Sequence, residues 1–304
     1  MLINRRFPID TLASHRFRKS LGVAALLAPA TVVFIAVILY PLLYGIFLSL
    51  TDTDPTTLDS NFVGLNNYLR LAKDSVFWIS LRITFTYAFS TVLLELPISF
   101  GIALLLNENI RGRWLYRGLI LLPWVMPNIA AAVVWGWLYS SDYGLINYYL
   151  NQVGLIDRYV LWLSNIRLAL PASIIIQVWK GLPWTTVVLL AGLQTIPEEL
   201  REAAEVDGAN AWQRFVYVTL QYMRPVLIII IVLRFAWAFN TFDLVYVLTY
   251  GGPGFSTHLL SIYMYLTSFS FRDMGYGSTL ATMMLIILLG LSAIFIRALS
   301  RKEV

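Results

Sequence analysis

Four side chains inside a long apolar segment have types and spacing that suit binding. Gln177, Lys180, Gly181 and Trp184 stand at positions i, i+3, i+4 and i+7, so a helix would place them on one face. The amide and the ammonium can bond to hydroxyl groups, the glycine leaves room, and the indole can stack on a sugar ring. The alternative interpretation is that Trp184 packs in the core and Lys180 contacts a neighbouring carbonyl. The pattern predicts a concave site for a hydroxyl-rich solute.

A second apolar segment carries a comparable set, with Arg234, Ala238 and Thr241 at positions i, i+4 and i+7. Charged side chains at membrane depth usually face a cavity or each other. At 1.5 Å per residue, Glu95 and Arg234 lie about 16 Å and about 14 Å from the same side of their predicted segments. This matched depth is compatible with an ion pair between them or with two groups that line a solute path. The sequence leaves both interpretations open.

No set of residues typical of an enzyme is present. Each lysine follows a residue other than glycine, which excludes the usual phosphate-binding loop. The two histidines, His15 and His258, are far apart in the sequence and the chain has no cysteine. We therefore predict neither catalytic residues nor a metal site.

The composition is that of a membrane protein. Of the 304 residues, 59% are hydrophobic and 13% are charged, and the mean hydropathy is +0.71. A helix needs about 20 apolar residues to cross the hydrocarbon core. The sequence predicts an all-α polytopic membrane protein with six transmembrane helices. The predicted spans are residues 21–50, 76–106, 118–140, 168–194, 225–249 and 277–298, in one domain, 21–304, that follows a cytoplasmic segment, 1–20.

The positive charges predict the orientation. Most lysines and arginines outside the spans lie in the N-terminal segment, in the second and fourth loops and at the C-terminus. Because cytoplasmic loops carry an excess of these residues, both termini are predicted to be cytoplasmic. The first apolar segment is long and has no small-residue cleavage site, so we interpret it as a span and not as a removable signal.

The predicted fourth loop, residues 196–222, is more charged than the segments around it. Thr195 and Glu198 have capping-box spacing, which predicts the start of a helix. Gly208 can adopt a positive φ and end that helix, and Asn210 can begin another. The loop is therefore predicted to be a helix, a sharp turn and a second helix.

The first predicted helix of this loop has a narrow apolar stripe. Ile196, Leu200, Ala203 and Ala204 fall on one face, with small residues where a close approach is possible. Such a face suits insertion into a groove on another protein. The alternative is an amphipathic helix that lies on the membrane or on its own bundle.

Three stretches resemble a known family. GLQTIPEELREAAEVDGANAWQRFVYVTL, residues 192–220, resembles the EAA loop of ATP-binding cassette (ABC) importer permeases, with Gln221 where a proline usually follows. NFVGLNNYLRL and FDLVYVLTYGGPGFST resemble the carbohydrate-uptake branch, of the maltose and glycerol-3-phosphate type. The resemblance covers most of the chain. It implies a type I ABC importer permease fold in a bacterial inner membrane.

The resemblance also implies partners. These are a second permease subunit in a heterodimer, two ATP-binding subunits and an extracytoplasmic binding protein that delivers a carbohydrate. ATP and magnesium would be used by the ATP-binding subunits, so this chain would bind no cofactor and would not be an enzyme. The two polar sets described above are similar to sugar-contacting positions of maltose-type members. The coupling residues implied are Glu202, Ala203, Ala204, Asp207 and Gly208.

Two other classes of protein are considered. A gradient-driven secondary transporter would use the buried charges as proton or ion sites. The sequence, however, shows no paired inverted repeats with interrupted helices. A purely structural subunit would explain the charged loop but would leave the polar faces without a use.

Overall fold

Helices form the regular structure of the described residues. The computed structural model describes residues 26–57, 60–108 and 111–300. Within these ranges the only extended pairing is an isolated bridge between Thr51 and Phe62, which confirms the all-α prediction. The predicted segment 1–20 and residues 21–25 of the predicted first span lie outside the described residues, as do two of the C-terminal cations and His15.

Apart from a single turn, Leu220–Tyr222, the helices are numbered in chain order. They are α1 (Leu26–Leu48), α2 (Asn66–Lys73), α3 (Ser75–Asn107), α4 (Arg113–Ile120), α5 (Leu122–Val125), α6 (Asn128–Leu138), α7 (Leu145–Gln152), α8 (Ala169–Leu193), α9 (Glu198–Val206), α10 (Ala211–Arg214), α11 (Arg224–Phe239), α12 (Asp243–Thr249), α13 (Leu260–Tyr265) and α14 (Met274–Ser300). A π-helical turn lies within α1, and others follow α10 and α13.

The membrane spans agree in number with the prediction when one bent pair is counted as a span. Helices α1, α3, α8 and α14 and the α11–α12 segment are each long and apolar enough to cross a bilayer. Residues 113–125 and 128–138 pass the same test together, but the two parts are bent by 96°. The predicted continuous third span, 118–140, is therefore a broken one.

Proline explains this break. Pro127 has no N–H to continue the helix, and it disfavours helical backbone at the residue before it. Met126 accordingly has extended backbone angles, φ −68° and ψ 130°, and α6 starts after Pro127. The chain turns sharply between α5 and α6 for this reason.

The predicted fifth span, 225–249, is also interrupted. Helix α11 ends at Phe239 and α12 begins at Asp243. The amide of Asn240 still donates to Ala236 O at 3.1 Å, and Thr241 N donates to Ala238 O at 3.2 Å, so the last turn tightens before the chain leaves the helix. Spans three and five thus each contain a short non-helical segment.

The core is formed by α3, α8 and α11. Helix α3 packs along α8 and also against α11. Ile176, Leu189 and Phe239 are fully buried in three separate apolar clusters along this core. In contrast, none of the most apolar window of α1 is buried by the rest of the chain. Spans two, four and five therefore form the rigid centre, and span one lies at its edge.

A carboxylate fixes the start of α3. Asp74 Oδ2 accepts hydrogen bonds from the phenols of Tyr263 and Tyr276, each at 2.5 Å, and Oδ1 accepts one from Val76 N at 2.8 Å. Burial would raise the pKa of this carboxyl, but these hydrogen bonds outweigh burial and lower its pKa below the ordinary value. Asp74 therefore ties α3 to α13 and α14.

A buried amide organises the loop between spans three and four. Asn147 Nδ2 donates to Ser140 O at 3.1 Å and to Val160 O at 3.0 Å, and its Oδ1 accepts from Val160 N and Trp162 Nε1, each at 3.0 Å. The side chain is fully buried and its amide has partners on both sides. One residue of α7 thus holds both arms of the loop.

Candidate functional site

A cavity of about 670 Å³ lies where the two broken spans meet span four. Both breaks contribute to its wall, through residues 124–128 and 240–243. The remaining lining residues are Gln177, Lys180, Gly181, Arg234 and Trp237. The wall therefore combines amides, two cations, a carboxylate and indole rings, which are groups that can bind hydroxyls and stack on sugar rings.

The structure brings most of the predicted path residues to this cavity. Those that line it are Gln177, Lys180, Gly181, Arg234 and Thr241. Trp184 and Ala238 do not line it. Trp184 packs edge-on against Trp237, with ring centroids 4.7 Å apart, and Ala238 is fully buried in a core cluster with Phe235 and Phe239. Trp184 therefore packs against another side chain, which agrees with the alternative interpretation given above.

Glu95 and Arg234 form a buried ion pair. Arg234 Nη2 donates to Glu95 Oε2 at 2.5 Å, and the two residues are 6% and 1% exposed. The second carboxylate oxygen accepts a hydrogen bond from Thr185 Oγ1. The pair joins spans two, four and five, and Arg234 also reaches the cavity wall. Arg234 thus both pairs with Glu95 and lines the cavity, so both interpretations left open by the sequence apply to it.

Arg234 also contacts an indole ring of the cavity wall. Its Cζ lies 5.6 Å from the ring centroid of Trp237, within the range of a cation–π contact. Its Nε is buried and has no hydrogen-bond partner among the described residues.

Gly181 allows the ion pair to lie against span four. A Cβ built on Gly181 would overlap Arg234 Nη2 and Glu95 Oε2, and would lie 2.6 Å from Glu95 Cδ. Real Cβ contacts essentially never fall below 3.0 Å. The glycine therefore provides space, as its spacing predicts, but the ion pair fills that space and a solute does not enter it.

Lys180 bonds to the break in span three. Its Nζ donates to Met126 O and, at 3.4 Å, to Pro123 O. Both carbonyls belong to the interrupted segment. The contact with a neighbouring carbonyl, which was the alternative interpretation of Lys180, is thus present.

Several groups at the cavity were not predicted from the sequence. Trp124 and Asn128 belong to the break in span three, which the paired prolines in LPWVMPN could have indicated. Asn240 and Asp243 border the break in span five, where no proline occurs. Thr185, the hydrogen-bond partner of Glu95, lies within an apolar helix and carries no signal of its own.

The loop between spans four and five is a helix, a tight turn and a second helix, as predicted. Gly208 has φ +77° and ends α9. Its amide donates to Glu205 O at 3.0 Å, and Ala209 N donates to Ala204 O at 2.9 Å, which is the Schellman pattern. Asn210 begins the next helix with a capping box.

The predicted cap at the start of α9 is wrong. Thr195 Oγ1 donates to Gly192 O at 2.7 Å, so it closes span four and does not cap α9. Pro197 occupies the N-cap position, and no side chain caps this end. Capping-box spacing therefore predicted the start of the helix correctly but not the partner of Thr195, because the hydroxyl can also bond backward to a carbonyl in the last turn of the preceding helix.

Helix α9 is not covered by the rest of the described chain. None of its residues is buried, and Leu200 and Val206 are exposed at 43% and 88%. The predicted coupling residues all lie on this helix or at the turn that follows it, and only Ala204 is partly covered. The predicted coupling residues are therefore accessible at the surface of the described chain.

The comparisons with known proteins identify the family. The description "Binding-protein-dependent transport system inner membrane component" matches residues 95–304. The trehalose/maltose transport system permease protein of Thermococcus litoralis is 37% identical over 91% of this chain and 92% of its own length. The sulfoquinovosyl glycerol transport system permease protein of Agrobacterium fabrum is 35% identical over 91% of this chain and 90% of its own length.

The fold agrees with a solved structure. A chain of a bacterial ABC transporter that imports the acidic polysaccharide alginate superposes with a TM-score of 0.82, at 21% identity, over 96% of this chain and 99% of that chain. This match confirms the type I ABC importer permease fold. The chain is therefore a multi-pass inner-membrane subunit and not an enzyme, and it belongs to the binding-protein-dependent transport system inner membrane components, with sugar ABC permeases among its relatives.

Proposed function

We propose that this chain is the permease subunit of an ATP-driven importer that moves a carbohydrate delivered by an extracytoplasmic binding protein. The family supports the transport class, and sugar transport is named for both relatives described above. The buried charges do not require a gradient-driven mechanism, because Glu95 and Arg234 neutralise each other.

The observation that carries the proposal is the exposed helix α9. It lies within the stretch that resembles the EAA loop, and none of its apolar residues is buried by the described chain. We infer that this helix docks in a cleft of a partner ATPase subunit. Glu202, Ala203, Ala204, Asp207 and Gly208 form the coupling site in this proposal, and ATP and magnesium are bound by the two partner ATPase subunits.

The position of α1 supports a second permease subunit. The most apolar window of this span has no buried residue, and the half nearer Leu48 packs on α14. A span of this kind can pack against another membrane subunit. A heterodimer of two permeases provides that surface.

The chemistry of the cavity supports a carbohydrate. Gln177 and Asn240 offer amide groups for hydroxyls, and Trp124 and Trp237 offer ring faces. The formal charges of Arg234 and Glu95 cancel in their ion pair, and Lys180 and Asp243 contribute one charge of each sign. A wall with balanced charge and many hydrogen-bonding groups suits a sugar better than an ion.

The test is ATP-dependent transport by the reconstituted complex. Ala203→Gln places a bulky side chain on the apolar stripe of α9, and we expect both transport and its coupled ATP hydrolysis to fall at least tenfold. Glu198→Gln introduces the same residue on the opposite face of the helix and serves as the matched control. Charge reversal, Glu202→Arg, is expected to lower both activities as well.

Two results contradict the proposal. One is normal coupled hydrolysis in both Ala203→Gln and Glu202→Arg, because the helix would then not transmit force. The other is solute accumulation by vesicles that contain this chain without nucleotide.

A further inference from the structure

The broken third span has free carbonyls at its bend. In a continuous helix the carbonyl of Pro123 would accept from the N–H of residue 127, but that residue is a proline and has none. Met126 leaves the helical path, with ψ 130°, so its carbonyl also turns away from the helix axis. These carbonyls lie beside the cavity wall, and a helix-interrupted carbonyl needs a donor from another group.

A side chain of span four supplies the missing donor. Lys180 Nζ donates to both carbonyls, Met126 O and Pro123 O. No carboxylate lies within ion-pair distance of it in the described chain. An ammonium has three N–H donors, so two carbonyls can be bound at once. The positive charge also lies at the C-terminal end of α5, where the carbonyls are exposed.

The same turn of span four holds span five. Gly181, the next residue, is where the Arg234–Glu95 pair lies against the helix backbone. Lys180 and Gly181 thus contact the two broken spans from adjacent positions. The shape of the cavity wall at 124–128 depends on the first of these contacts, and the position of Arg234 depends on the second.

We propose that Lys180 is a positioning residue that holds the bend of span three through backbone carbonyls, and that it is not primarily a ligand of the transported solute. This inference rests on the proposed transport function, because it assigns the cavity to the solute path. In this proposal the Lys180 hydrogen bonds hold the bend in place. Breaking them would allow residues 124–128 to move relative to span four.

The test measures local order at the bend, without a solute or nucleotide. The chain has no cysteine, so a nitroxide can be attached at Asn128→Cys, and its electron paramagnetic resonance line shape reports the mobility of the bend. The complete complex without the introduced cysteine provides the background spectrum. A label at Leu155→Cys, on the exposed loop after α7, is the remote control.

In Lys180→Met we expect the mobile fraction of the Asn128 label to rise about twofold or more. Lys180→Arg keeps a cationic donor and is expected to restore the parent line shape, and the Leu155 label is expected to stay unchanged in all variants. If Lys180→Met does not assemble, as judged by size-exclusion chromatography, Lys180→Ala, which also lacks a donor, is measured in its place with the same expectation.

An unchanged Asn128 spectrum in the assembled variant overturns the proposal, as does an equal change at Leu155, which would indicate general loosening. These results are independent of the transport assay. A result that overturns the role of Lys180 can therefore be distinguished from one that overturns the proposed importer function.

Discussion

Gly181→Ala tests the close approach between span four and the buried ion pair. The added Cβ would overlap the arginine and carboxylate groups of Arg234 and Glu95, both of which are almost fully buried, so at least one of them must shift and the ion pair is disrupted. Breaking a buried ion pair costs about 3–5 kcal/mol. Alanine improves helix propensity over glycine by about 1 kcal/mol. We therefore expect a net loss of about 2–4 kcal/mol in the free energy of unfolding.

The assay is the thermal stability of the purified complex in detergent, followed by the fraction that remains assembled in size-exclusion chromatography. Gly290→Ala is the matched control: it lies in another span, in α14, and a Cβ there meets nothing within 4 Å. We expect Gly290→Ala to be neutral or slightly stabilising and Gly181→Ala to melt well below the parent.

A double-mutant cycle identifies the cause. In a background with Glu95→Ala and Arg234→Met the ion pair is absent, so Gly181→Ala should change stability by less than about 1 kcal/mol, mainly through helix propensity. If Gly181→Ala is as stable as Gly290→Ala in the parent, or if its cost is the same without the ion pair, the reasoning from close approach is refuted.

Two further predictions concern the region outside the spans. Asp74→Asn is expected to lower the melting temperature of the complex at neutral pH. The difference in melting temperature from the parent should shrink below about pH 4, the ordinary pKa of aspartate, because a carboxyl whose pKa is lowered by folding stabilises the fold only while it is ionised. A difference that does not change with pH would contradict this. Asn147→Ala leaves buried partners unsatisfied and is expected to cost about 2–5 kcal/mol locally; faster hydrogen exchange at the Val160 amide checks it, and unchanged exchange would disprove it.

The membrane spans could be predicted because hydrocarbon thickness imposes a minimum apolar length. Predicted spans 76–106 and 168–194 end within one residue of α3 and α8. Interruptions inside a span leave hydropathy almost unchanged, so the breaks at Met126 and Asn240 escaped this criterion. The first has a proline signal. The second has none, since it depends on contacts between spans.

Helical spacing predicted which residues share a face but not how far the cavity extends along it. Trp184 lies seven residues, or about 10 Å along the helix, from Gln177. At that position the side chain packs against Trp237 and does not border the cavity. The prediction that Ala238 lines the path is wrong for a related reason, because Ala238 packs in the core aromatic cluster around Phe239. The sequence cannot locate the end of a cavity that side chains from other spans close.

The connectivity suggests how movement of α9 would reach the cavity. The loop 196–222 joins the end of α8 directly to the start of α11, and these are the helices that carry Lys180 and Arg234. Each of these residues lies about 15–20 Å along its helix from that loop. Pro183 lies in α8 between the loop and Lys180 and is a point where that helix can bend. Displacement of the loop would still be passed along both helices to the two contacts of span four. One of them holds the bend of span three and the other places Arg234, so the two broken spans would respond together to a single force on α9.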